Sequence, residues 1–97
     1  MSAITKSANG EKCTIRVPGY CNGNSETVVL AHLSGVRFGH GTGHKVNDIH
    51  GAYACSDCHD VVDGRQRTNY SALELKNMHL DGVIETQIKL IAKGLIK

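Results

Sequence analysis

Ala54-Cys55-Ser56-Asp57-Cys58-His59-Asp60 is the stretch on which the fold turns. Two thiols in Cys-x-x-Cys spacing can reach one tetrahedral ion, and here an imidazole follows directly on the second. Upstream, Cys13 and Cys21 flank Val17-Pro18-Gly19-Tyr20, a Pro-Gly turn able to bring their sulfurs together. The expectation is a structural Zn²⁺ shared by Cys13, Cys21, Cys55 and Cys58. Four thiolates leave no open coordination position, so the chemistry must be sought elsewhere. Such a site contributes on the order of 10 kcal/mol of apparent folding free energy, enough to decide whether a 97-residue chain folds. The alternatives are two pairs of buried free thiols, or a redox-active Cys55/Cys58 pair. Redox activity normally accompanies a parallel βαβ pattern, and none is visible.

The opening Met-Ser-Ala-Ile-Thr-Lys-Ser-Ala-Asn-Gly lacks the apolar core of a secretion signal, so the expected location is the cytoplasm, where thiols bind metal more often than they pair. No apolar run approaches the roughly 18 residues that span a bilayer, which argues against a membrane protein. With 11 Lys and Arg against 9 Asp and Glu, the net charge of +2 is far from that of a DNA wrapper, so any nucleic-acid binding must be local. Phe38, Tyr20, Tyr53 and Tyr70 are the only aromatics, too few for a base-stacking platform.

One domain is expected, in three parts. A knuckle over 10–25 includes strand-like Thr14-Ile15-Arg16-Val17. A hairpin and helix over 26–64 follow, with Thr27–Leu33 as a strand, Ala52-Tyr53-Ala54 as a second, and a short helix capped by Ser56 or Asp57 and ending at Gly64. Between the strands, 34–51 is rich in Gly and His and reads as a loop. Finally Ser71 caps a helix over 71–94, where Leu73, Leu80, Ile84, Ile88, Ile91 and Leu95 recur at helical spacing and ask to be packed against the rest, though such a helix could serve an interface as well as a core, which leaves monomer and homodimer both open. Gly82 inside it marks a bend or a close approach, Gly94 a stop, and His79 is expected at the surface.

Cys13-Thr-Ile-Arg-Val-Pro-Gly-Tyr-Cys21-Asn-Gly-Asn, Leu30-Ala-His-Leu33, Gly41-Thr-Gly43 and Ala54-Cys-Ser-Asp-Cys-His-Asp60 together resemble the YbcO-like nucleases of prophages, within the HNH or His-Me-finger endonucleases. The similarity covers about residues 6 to 97. It implies an α+β, treble-clef or ββα-metal fold with a C-terminal helix, and metal-dependent hydrolysis of phosphodiester bonds in DNA, with RNA as a further substrate class. By the same resemblance, His32 is the general base and His59 holds a catalytic Mg²⁺ or other divalent ion. Where many HNH enzymes carry another ligand just before the base, this chain has Ala31, leaving Asp48, His50 or Asp60 to replace it. The middle motif position falls on His50, with Asn47 and Asp48 nearby. Kinship to prophage proteins implies work in phage DNA processing or recombination.

Arg37, Lys45, Arg65 and Arg67 flank these motifs and could track a nucleic-acid backbone, or simply solvate the surface. His40 and His44 could contact phosphate in the same way. Gly41-Thr42-Gly43 is too short for a nucleotide-binding fingerprint. The rival from another class is a non-catalytic zinc module that binds nucleic acid or a partner protein, and Ala31 is its best argument.

Overall fold

The structure is a computed structural model that describes residues 3–33 and 48–96. It is α+β: a two-stranded antiparallel sheet with helices packed around it. A short helix α1 (Ala3–Ser7) leads into the cysteine knuckle, and strand β1 (Val29–His32) follows a single 3-10 turn. A second 3-10 turn (Asp48–His50) enters strand β2 (Gly51–Ala54), which runs into helix α2 (Ser56–Val62), and the long helix α3 (Ala72–Ala92) closes the chain.

The register pairs Val29 with Ala54, Leu30 with Tyr53, Ala31 with Ala52 and His32 with Gly51. Every residue of β2 is buried. Its small side chains let α3 lie close, and Tyr53, fully buried, meets Ser7 of α1 through its hydroxyl at 2.6 Å. A two-stranded sheet leaves an open edge, whose backbone groups must find partners. On β2 the Tyr53 carbonyl accepts from the Thr14 amide at 2.7 Å, and its amide donates to Thr86 Oγ1 at 3.0 Å. The two threonine hydroxyls meet at 3.0 Å, joining knuckle, sheet and α3.

Thr14–Val17 is therefore not the regular strand that its β-branched composition suggests. Arg16 adopts a left-handed φ of 51°, which turns the chain toward sulfur. Its amide and that of Val17 go to Cys13 and Cys58 rather than into a ladder. The N-cap of α2 is likewise Cys55 rather than Ser56 or Asp57: its sulfur accepts from the Cys58 amide. Ser71 caps α3 as expected, in a reciprocal capping box with Glu74. Gly64 and Gly94, at φ of 82° and 76°, take the left-handed conformation that ends a helix.

The larger correction concerns which face of α3 is buried. Leu73, Ile84, Ile88 and Ile91 are exposed, by 69%, 58%, 63% and 54%, and the core takes His79, Gly82, Val83, Thr86 and Leu90 instead. The sheet surface is built of alanines, and the hydroxyls of Thr14 and Thr86 need each other there, so a small, partly polar face fits closer than a branched one. Gly82 is the point of closest approach, since a Cβ there would lie 2.9 Å from Ile15 Cγ1. No helix among the described residues is long and apolar enough to cross a membrane.

Candidate functional site

Cys13 and Cys21 come from the knuckle, Cys55 from the end of β2 and Cys58 from the first turn of α2. Their four sulfurs lie within 4.8 Å of one another, and none is in a disulfide. A tetrahedral ion with bonds of roughly 2.3 Å sets its sulfurs about 3.8 Å apart; Cys21 and Cys55 stand at 3.9 Å. Amide groups of Arg16, Val17 and Cys58 point at the sulfurs from 3.4 to 3.5 Å, the setting that stabilises thiolate. The Cys58 thiol donates to Cys13 and, with backbone amides, holds Cys13 down at about 4. Sharing that proton and being buried push Cys58 up, and burial pushes Cys21 up. A cation would relieve this crowding by releasing the remaining protons. The four cysteines fit a metal ion.

His32 ends β1, partly exposed, and its Nε2 lies 2.8 Å from Asp48 Oδ1. An ionised carboxylate only accepts, so in the neutral ring Nε2 carries the proton and Nδ1 the lone pair. Thr5 Oγ1 donates to the other oxygen of Asp48 at 3.3 Å, fixing the carboxylate from the side of α1. His50, on the same 3-10 turn, is half-buried, and its carbonyl accepts from the Leu33 amide at 3.1 Å.

His59 lies on α2 with Nε2 3.1 Å from Asp63 Oδ2, one turn on. Asp63, not Asp60, is thus the carboxylate brought to His59. Asp60 instead accepts from Arg65 Nε at 3.1 Å, and Arg65 Nη2 reaches Asp63 at 3.0 Å and the other ring nitrogen of His59 at 3.5 Å. Arg65 therefore belongs to this cluster through its ion pairs, although it is exposed to solvent, as Arg67 is. Arg37, Lys45, His40, His44 and Asn47 lie outside the described residues.

His79 was expected at the surface and is 6% exposed. Its Nε2–H donates to the carbonyl of Ala31 at 2.7 Å, immediately before His32. Burial lowers its pKa, the hydrogen bond to Ala31 and the Asp63 carboxylate raise it, and the His59 and His32 rings lower it. His79 thus lies within electrostatic reach of each of Asp63, His59 and His32. His79, Asp63, Leu33 and Val61 also line one groove of about 300 Å³ between α2 and α3. Further along α3, Gln87 donates to the carbonyl of Ile49 at 2.6 Å, next to Asp48. The long helix therefore holds the backbone beside both members of the His32–Asp48 pair. The His-x-x-x-Asp spacing of 59 and 63 could have revealed Asp63. For His79 the only signal is its place with Gly82, Thr86 and Leu90 on one helical face.

The sequence profile of the family described as "Putative nuclease YbcO" matches residues 2–95. Two curated relatives of that same description, from Escherichia coli (strain K12) and Enterobacteria phage 82, are each 43% identical over 100 aligned residues, covering 100% of this chain and 99% of theirs. A solved structure described as "Structure of a putative bacteriophage protein from Escherichia coli str. K-12 substr. MG1655" matches with a TM-score of 0.79 at 38% identity, over 94% of this chain and 99% of that one. Sequence kinship over nearly the full length, together with a shared fold, bears out the resemblance to the YbcO-like proteins: the chain belongs to the family described as "Putative nuclease YbcO".

Proposed function

We propose that this protein is a metal-dependent endonuclease of the HNH type that hydrolyses phosphodiester bonds in DNA, its treble-clef frame pinned by Zn²⁺ on Cys13, Cys21, Cys55 and Cys58. The observation that carries the reading is the His32–Asp48 pair at 2.8 Å, with a second imidazole–carboxylate pair, His59 and Asp63, 3.1 Å apart at the end of α2. Asp48 orients the ring and stabilises the imidazolium, and Nδ1 of His32 takes a proton from water. The resulting hydroxide attacks phosphorus in line, and the 3′ oxygen leaves.

His59 and Asp63 would hold the catalytic divalent ion, which supplies charge neutralisation on the scissile phosphate and its departing oxygen. Two protein ligands suit Mg²⁺, which keeps several waters and completes its shell on substrate phosphate. Asp63 takes the place sought for a ligand in Asp48, His50 or Asp60; the position of Ala31 is fully buried with its carbonyl engaged. Arg65, held at Asp60 and Asp63, is placed to meet the phosphate backbone near the metal. Arg37, Lys45 and Arg67 remain further candidates for that contact.

A plasmid-nicking assay with and without Mg²⁺ or Mn²⁺ tests this. His32→Ala should lower the rate about 10²- to 10⁴-fold, and His59→Ala should abolish metal-dependent cutting, both with an unchanged circular dichroism spectrum. Full activity in both variants overturns the proposal. A wild-type chain that binds DNA without cutting it would favour the non-catalytic module, for which the absent ligand at Ala31 speaks.

A further inference from the structure

We infer that the outer face of α3 is a two-fold interface at which a second copy of this chain docks with its α3 parallel to the first. The exposed Leu73, Ile84, Ile88 and Ile91 lie diametrically opposite the core-facing His79, Gly82, Thr86 and Leu90. Ile84, Ile88 and Ile91 cluster on the C-terminal half of a helix of 21 residues, about 30 Å long at 1.5 Å per residue, and Leu73 continues their line near its start, with Asn77 between. Solvent-exposed apolar patches of such extent mark interaction surfaces. A face opposite the body of the domain can be covered without the two bodies meeting.

The occupant is indicated by what accompanies the apolar line. Placed in a heptad, Asn77, Ile84 and Ile91 occupy a positions and Leu73 a d, the branched-a, Leu-d arrangement of parallel two-stranded pairs, while Leu80, at the following d, is half-buried against the domain core and offers only its outer edge. Gln87, at the next d, turns to the Ile49 carbonyl, and the neighbouring Ile88 fills the seam. A lone Asn at a fixes parallel register, because each amide then meets its own copy. Lys76 falls at g and Asp81 at the following e, both exposed, so in a parallel pair each lysine faces the aspartate of the other copy, twice over. α3 is already folded on the domain core, so pairing has no helix-nucleation cost to meet. The inference does not rest on the nuclease reading.

Light scattering and sedimentation of the full, metal-loaded chain at high micromolar concentration should give twice the 10.4 kDa chain mass. Ile84→Glu, at an exposed site that leaves the core alone, should weaken self-association at least about tenfold, because two side chains leave the seam. Lys76→Asp and Asp81→Lys should each weaken it, and the double variant should restore it. A monomeric wild type, or a dimer indifferent to Ile84→Glu, overturns the inference; failure of the double variant to restore pairing overturns the parallel arrangement. A monomer whose α3 resonances broaden on anionic phospholipid vesicles would overturn it in favour of a membrane surface.

Discussion

Gly82 shows how one missing side chain sets the distance between elements. A Cβ at that position would come within 2.9 Å of Ile15 Cγ1, 3.1 Å of Thr14 Oγ1 and 3.3 Å of Ala52 Cβ. None of these is the free end of a flexible chain, so Gly82→Ala gains about 1 kcal/mol of helix propensity and loses about 1–3 kcal/mol to overpacking. Net destabilisation of roughly 1 kcal/mol, read from urea unfolding, is the expected result. His79 makes a second prediction at this scale. Burial lowers its folded-state pKa below the ordinary 6.5, opposed by Ala31 and Asp63 and aided by His59 and His32. The unfolded chain therefore binds the extra proton first as pH falls. This contribution to stability is complete above pH 6.5 and is lost as pH drops through the lowered folded value. In urea titrations over that window, His79→Gln should remove up to about one proton from the pH slope.

At the scale of elements, the sheet is joined to its surroundings by hydroxyls. Thr86, fully buried, accepts from the Tyr53 amide at 3.0 Å and meets Thr14 at the same distance. Thr86→Val keeps the shape and strands that amide, so it should cost about 1–3 kcal/mol, seen as a lower urea midpoint and faster exchange of the Tyr53 amide. Much at this scale was legible in advance. Caps and stops at Ser71, Gly64 and Gly94, the two strands, and the gathering of four cysteines follow from local chemistry that a linear reading can see. The buried face of α3 was not legible, because periodicity identifies an apolar stripe without saying whether core or solvent-side partner covers it. Thr14–Val17 misled for a related reason: branched residues favour extended backbone, but the demand of sulfur for amide donors bent the chain at Arg16. Of the candidate site, His32 and His59 came from motif order. Asp63 was within reach of the i, i+4 spacing to His59, His79 came only from tertiary placement, and Arg37 and Lys45 lie outside the described residues.

For the whole molecule, the cysteine cluster ties the part of the chain before the sheet to the part after it. If these cysteines hold Zn²⁺ as proposed, removing it should therefore act globally rather than loosen one loop. A tight chelator is expected to lower the unfolding temperature sharply, since a structural site of this type carries on the order of 10 kcal/mol of apparent folding free energy. Cys58→Ser should do the same without chelator, and re-addition of Zn²⁺ should restore the wild type alone. Calorimetry with metal quantification checks both.

The pairing of His32 with Gly51, the Leu33 amide on the His50 carbonyl and the His32–Asp48 contact bring positions 33 and 48 side by side. Whatever chain is spliced between them inherits two fixed anchorage points. Closing such an insert costs only about 0.6 kcal/mol more for each doubling of its length. An insert of almost any length can therefore be closed at this point while the His32–Asp48 pair and the sheet beneath it keep their geometry.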